Sequence, residues 1–85
     1  MYQITIKREA LKELQLLPKN AVSNISASID ALSDNPRPVG CKKLKGGAEN
    51  LWRIRIGDYR VIYSIDDVVL IVGIRRIGHR KNIYE

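Results

Sequence analysis

The apolar positions of this chain change their spacing along its length, and each change marks a different element. In residues 1–6, Tyr2, Ile4 and Ile6 alternate with Gln3 and Thr5, which predicts a short half-buried strand. From Arg8 the spacing becomes helical: Ala10, Leu11, Leu14 and Leu17 share one side while Lys12, Glu13 and Gln15 point outward. Pro18 stops that helix, because it lacks an N–H and crowds the preceding turn, and it suits the opening turn of the next one. Val22, Ile25, Ile29 and Leu32 then form a continuous stripe on a second helix whose other face is Ser, Asn and Ala. Asn35-Pro36 ends it.

After the connection at residues 35–40 the spacing shortens to two. Cys41 to Lys45 reads as an edge strand, with Gly46-Gly47 as a break. Trp52, Ile54 and Ile56 alternate with Arg53 and Arg55, and Gly57-Asp58 is a two-residue hairpin turn. Beyond it Tyr59, Val61, Tyr63 and Ile65 alternate with Arg60, Ile62 and Ser64. This turn sets Ile56 against Tyr59, Arg55 against Arg60, and Arg53 against Ile62. A second turn at Asp66-Asp67 sets Ile65 against Val68 and Arg60 against Gly73. One sheet face then gathers Trp52, Ile54, Ile56, Tyr59, Val61, Tyr63, Val68, Leu70, Val72 and Ile74, enough apolar area to take both helices. The expected fold class is α+β. An antiparallel sheet with an N-terminal strand carries a two-helix hairpin on one face, in the order β-α-α-β-β-β, as one domain over residues 1–85.

Charge changes this picture. The chain has 15 Lys+Arg against 9 Asp+Glu, a net of +6. Residues 1–36 carry four of each sign, so the whole surplus lies in residues 37–85. That asymmetry calls for a polyanionic or acidic partner on the strand-rich half. Cys41 is the only cysteine, which excludes a disulfide framework and suits a reducing, cytoplasmic setting. With His79 the only histidine, a zinc site of the usual kind is excluded, and no metal or cofactor is expected. The longest apolar run, residues 68–74, is far shorter than the ~20 residues a membrane span needs, and Lys7-Arg8-Glu9 is foreign to a signal peptide.

The sheet face opposite the apolar one gathers Arg53, Arg55, Arg60 and Arg75, with Ile62 and Ile71 in the middle. Like charges directly opposed across an antiparallel pair cost a few tenths to ~1 kcal/mol, so Arg55 against Arg60 is not a choice made for folding alone. Gly73 beside Arg60 would leave a side-chain-free notch for a ligand. The bland reading is a solvated face whose arginine stems cover apolar area. Lys42, Lys43 and Lys45 likewise have two readings, protection of an exposed sheet edge or contact with phosphates. The C-terminal stretch adds Arg76, His79, Arg80, Lys81 and Tyr84. An aromatic beside clustered arginines is how single-stranded RNA is commonly gripped; packing of Tyr84 on its own domain is the alternative.

Three stretches together carry a resemblance: Lys43-Leu44-Lys45-Gly46, then residues 51–63 with Arg53, Arg55 and Gly57-Asp58-Tyr59-Arg60, then Gly78-His79-Arg80-Lys81-Asn82-Ile83-Tyr84. They resemble the RelE branch of the RelE/ParE toxin superfamily, and the opening strand and helix pair match in order and length. The resemblance implies the toxin of a type II toxin–antitoxin pair, an endoribonuclease cutting mRNA in the ribosomal A site. It further implies silencing by a cognate antitoxin, with operator DNA bound only through the antitoxin complex. By the same resemblance, Arg53 and Arg55 fall on the two basic positions of the first catalytic strand. Arg60 falls on the phosphate-holding arginine, Arg80 on the arginine after the last strand, and Tyr84, across a gap of two residues, on the base-stacking tyrosine. The best-known members carry lysines where this chain has Arg53 and Arg55.

That substitution bears on mechanism. Cleavage of this kind needs the ribose 2′-OH to attack the adjacent phosphorus, with a base for its proton, an acid for the leaving oxygen, and cations for the developing charge. Arginine serves the last role well and the first badly, since it keeps its proton at neutral pH. Histidine is the side chain suited to proton transfer near neutrality, so His79 is a candidate base or acid, against an incidental role. Two other functions stay open: a ParE-like inhibitor of DNA gyrase, and a non-enzymatic RNA-binding or co-repressor module.

Overall fold

The computed structural model describes residues 1–46 and 50–81. Its elements run β1 (Gln3–Ile6), α1 (Arg8–Gln15), α2 (Lys19–Ala31), β2 (Lys42–Lys43), β3 (Leu51–Ile56), β4 (Tyr59–Asp66) and β5 (Ile71–His79). The strands make one sheet in the order β1-β5-β4-β3-β2. β2 to β5 pair antiparallel, but β1 lies parallel to β5, so the α+β fold expected from sequence is built on a mixed sheet. Parallel neighbours need a long connection, and both helices and three strands separate β1 from β5.

The helices present most of the stripes their spacing predicts, but Leu11 is 43% exposed, and on α2 Ala21 is buried while Val22 is half-buried. Ala10 and Leu14 of α1 are buried, as are Ala21, Ile25 and Ile29 of α2 and Leu32 at its C-cap. They meet Ile54, Val61, Tyr63, Ile65, Val72, Ile74 and Ile77 in one core. Burying each such side chain contributes roughly 1.5–3 kcal/mol. The Lys7 N–H donates to the Ile74 carbonyl at 2.9 Å, which ties the start of α1 to β5. Tyr63 is fully buried, and its hydroxyl donates to the Pro36 carbonyl at 2.8 Å; burial pushes that phenol's pKa up.

A polar clamp closes one end of the sheet. Asp67 accepts the Tyr2 hydroxyl at 2.6 Å and both ends of the Arg37 guanidinium at 3.2 and 2.8 Å. Arg37 also lies over the Trp52 ring, 4.9 Å from its centre. The clamp joins Tyr2, just before β1, with the connection at residues 35–40 and the β4–β5 loop. Hydrogen bonds from Arg37 first, then Tyr2, hold the Asp67 carboxyl down at about 2.

The β4–β5 connection departs from the sequence expectation. One Asp66 carboxylate oxygen accepts the Val68 and Val69 N–H groups at 2.9 and 3.1 Å, so the chain turns over residues 67–70 instead of at Asp66-Asp67. Leu70 takes the left-handed conformation, φ 58°, to rejoin the ladder. β5 therefore starts late, with Asp66 opposite Ile71. Val68 and Leu70, expected in the core, are exposed at 91% and 41%. Ile65 and Ile77 are buried there with Val72 and Ile74.

Candidate nucleic-acid interface

On the sheet face away from the helices, pairing aligns side chains in three cross-strand rows. The first is Leu51, Ser64, Gly73 and Thr5; the second is Lys42, Arg53, Ile62 and Arg76; the third is Arg55, Arg60 and Gly78. Neighbours within a row are roughly 4.5–5.5 Å apart at Cα, and successive rows about 6.8 Å apart along the strand. The Gly57-Asp58 hairpin forms as expected, with Gly57 at φ 60°, and it sets Arg55 opposite Arg60.

The glycine beside this pair is Gly78, not Gly73. The longer β4–β5 loop moves β5 along β4, and a bulge between Ile62 and Tyr63 moves it once more. Gly73 lies between Ser64 and Thr5 instead, where a Cβ would come within 2.9 Å of the Ser64 hydroxyl. Its small size serves strand packing, and no notch beside Arg60 comes from it. Arg75 is the extra residue of the bulge. The ladder passes from Tyr63 opposite Ile74 to Ile62 opposite Arg76 and Val61 opposite Ile77. Two inward isoleucines three positions apart demand such an insertion, and it returns Gly78 to the arginine side.

Beyond β5 the pairing continues for one more bond, from the Arg80 N–H to the Asp58 carbonyl at 2.9 Å. Alternation places Arg80 next after Gly78 on the arginine side. Its Nε is 4.0 Å from the Asp58 carboxylate, and its side chain is 59% exposed. Arg55 is exposed and Arg60 half-buried. Arg53 is different: it is only 5% exposed, beside the equally buried Ile62. Alternation alone does not reveal that distinction.

Two of the expected site residues are engaged by other groups of the fold. His79 pairs with Tyr59 on the side of the sheet that faces the helices, their rings edge to face at 5.8 Å and 85°. Its Nδ1 accepts the Lys81 N–H at 3.2 Å. The structure thus separates the imidazole from the arginines, because residues 78 and 79 must point to opposite faces. Arg76 is bound by Glu13 of α1, Nε to both carboxylate oxygens at 3.1 and 3.2 Å and Nη2 at 2.9 Å. Lys42 and Lys43 are exposed on the edge strand β2, and Lys45 and Lys81 are exposed beyond strand ends. Tyr84 lies outside the described residues.

A groove of about 480 Å³ opens next to the arginine side, between α2 and β3. Ala31, Val39, Ile54 and Ile56 line it and Arg55 stands on its rim. Among the described residues no three His, Cys, Asp or Glu side chains converge as metal ligands, and no helix is long and apolar enough to cross a membrane. Chemically the arrangement suits a polyanion, with permanent charges in adjacent rows on a stiff sheet.

Residues 4–84 match the family profile described as the ParE toxin of the type II toxin–antitoxin system parDE. The chain belongs to the RelE/ParE family of type II toxins. Within it, the chain is of RelE type. It is 38% identical to the toxin RelE of Mycobacterium tuberculosis, covering 98% of this chain and 86% of that protein. It is 35% identical to a putative toxin RelE1 of Methanocaldococcus jannaschii, over 99% of this chain and 96% of that one. In structure it is similar to the archaeal RelE–RelB complex from Pyrococcus horikoshii OT3. The TM-score there is 0.83 at 32% identity, over 96% of this chain and 98% of that one.

Proposed function

We propose that this RelE-type toxin is an endoribonuclease that cuts mRNA in the ribosomal A site. The observation that carries the reading is the opposed pair Arg55–Arg60, with Arg80 following on the same side. Three permanent cations on neighbouring strands form a cradle for the pentavalent phosphorus, where negative charge builds as the 2′-OH attacks. Arg55 and Arg80, the exposed members, meet the phosphate oxygens; Arg60 stands between them, and buried Arg53 adds field from below. The O2′–P bond forms, the P–O5′ bond breaks, and the products are a cyclic phosphate and a 5′-OH.

With His79 on the opposite face, catalysis on this face rests on positioning and charge, with proton transfers passing to solvent or ribosomal groups. Lys42, Lys43 and Lys45 extend the basic surface along the edge, Arg75 along β5 and Lys81 just past its end. Tyr84 is assigned to stacking on a base. A RelB-like antitoxin is the proposed protein partner, since the similar P. horikoshii structure is a RelE–RelB complex. The groove beside Arg55 offers it an apolar seat. Operator DNA is reached only through that complex, and the toxin acts in the cytoplasm, where translating ribosomes are.

The test is incubation with mRNA-programmed ribosomes followed by mapping of ends. Cuts within the A-site codon carrying 2′,3′-cyclic phosphates are expected. Intact mRNA, with or without ribosomes, would overturn the reading. The family profile's description names ParE, so inhibition of DNA gyrase supercoiling is the second reading, and the same preparation should leave gyrase unaffected.

A further inference from the structure

β5 is paired on both sides only as far as Ile74. β1 ends there, with Ile6 opposite Ile74, while β5 runs on to His79. The segment that follows contains the bulge and leads to Arg80, so the part of the strand nearest the proposed site has a ladder on one side alone. An edge segment beside a bulge is where a strand frays first.

Glu13 occupies the place where β1 would have continued. Its Oε1 accepts the Ile77 N–H at 3.1 Å, a backbone donor on the strand's open side. The same carboxylate grips Arg76 through Nε and Nη2, at 2.9 Å for the Nη2 bond. One side chain of α1 therefore fixes two successive residues just past the bulge. α1 is itself anchored to β5 through the Lys7 N–H and by burial of Ala10 and Leu14. From Ile77 the chain passes through Gly78, opposite Arg60, to the Arg80 N–H on the Asp58 carbonyl. The segment from Ile77 to Arg80 is thus pinned at its start by Glu13 and at its end by Asp58.

We propose that Glu13 is a positioning residue for Arg80: it stands in for the missing strand, clamps the bulged end of β5 to α1, and so holds the arginine in line with Arg55 and Arg60. It touches no substrate. Nothing in the sequence pattern separates Glu13 from the other outward polar residues of its helix. The inference rests on the nuclease reading for its functional consequence, but its structural half stands apart from it.

The experiment is a double-mutant cycle of Glu13→Ala and Arg80→Ala in the ribosome cleavage assay, with Glu13→Gln alongside. Glu13→Ala should lower kcat about tenfold in the wild-type background and less than about twofold in the Arg80→Ala background, because a residue that acts through Arg80 has nothing to act on once it is gone. Glu13→Gln, which keeps an acceptor for the Ile77 N–H, should recover part of the loss. Equal fold-losses in the two backgrounds would overturn the proposal and leave Glu13 a general contributor to stability. Amide hydrogen exchange supplies the readout independent of cleavage. Glu13→Ala should speed exchange at Ile77 and Arg80 while leaving Val72 and Val61 protected. Unchanged protection at Arg80 would sink the proposal even if the enzyme cuts. Absence of cleavage by the wild-type protein would sink the nuclease reading, and the exchange result would still decide the role of Glu13.

Discussion

The two faces of the sheet are made by the same strands and obey opposite rules. On the helix side, Val61, Tyr63, Val72 and Ile74 are fully buried among mainly apolar neighbours, and the Tyr63 hydroxyl is hydrogen-bonded. On the other side, Arg55 faces Arg60 and Arg53 is buried beside Ile62, arrangements that cost stability. The helix face can be understood from folding alone. The arginine face fits a negatively charged visitor, as the proposed function has it. The contrast teaches that like-charge opposition in a well-formed register is a stronger pointer to function than basic composition.

If the faces are separable, variants on each should fail in different assays. The largest effect on folding is expected from Ile74→Ala, a fully buried position that also receives α1's anchoring bond through its carbonyl. It should cost about 3 kcal/mol, enough to lower Tm by roughly 10 °C or more in a domain of this size. Cleavage per folded molecule should be unchanged at a temperature where it remains folded. Arg55→Thr should do the reverse. Removing the repulsion with Arg60 should raise stability by up to ~1 kcal/mol in denaturant titration, while cleavage falls about 100-fold. A variant that lost both would blur the distinction between the faces.

Smaller effects sharpen it. The Asp67 carboxyl is held at about 2, below its ordinary unfolded value, so its contribution is complete above pH ~3.9 and is lost as pH falls through about 2. Urea midpoints of the wild type should decline faster than those of Asp67→Asn across that window and run parallel above pH 5. A parallel course throughout would mean the clamp with Tyr2 and Arg37 adds nothing to folding. The smallest effect belongs to His79→Ala. With the imidazole against Tyr59 on the helix side, cleavage should stay within a few-fold of wild type, and a loss of about 100-fold would return His79 to the chemistry.

The sequence was most legible where period alone decides. Most of each helical stripe follows from spacing, as do the Gly57-Asp58 hairpin and the opposition of Arg55 to Arg60, because a two-residue turn leaves no freedom of register. What spacing missed lies beyond Asp66. A carboxylate capping two amides lengthened the turn, and a bulge at Arg75 then restored inward positions to Ile74 and Ile77. Both are insertions that a strict period of two cannot register. They moved Gly78 into the place assigned to Gly73 and carried His79 to the far side. The run Ile74-Arg75-Arg76-Ile77, apolar at three positions' separation inside a strand, was the available signal. For Glu13 and for the burial of Arg53 there was none, since both depend on which elements meet in space.

The measurement that tests the two-face account most directly sets an Arg60→Ala/Arg80→Ala double variant beside wild type, with Tm and A-site cleavage recorded on one preparation. Cleavage should fall by on the order of 1,000-fold with Tm unchanged or slightly raised. Cleavage retained within a few-fold would contradict it, as would a loss matched by unfolding, for the arginine face would then belong to the fold and not to the RNA.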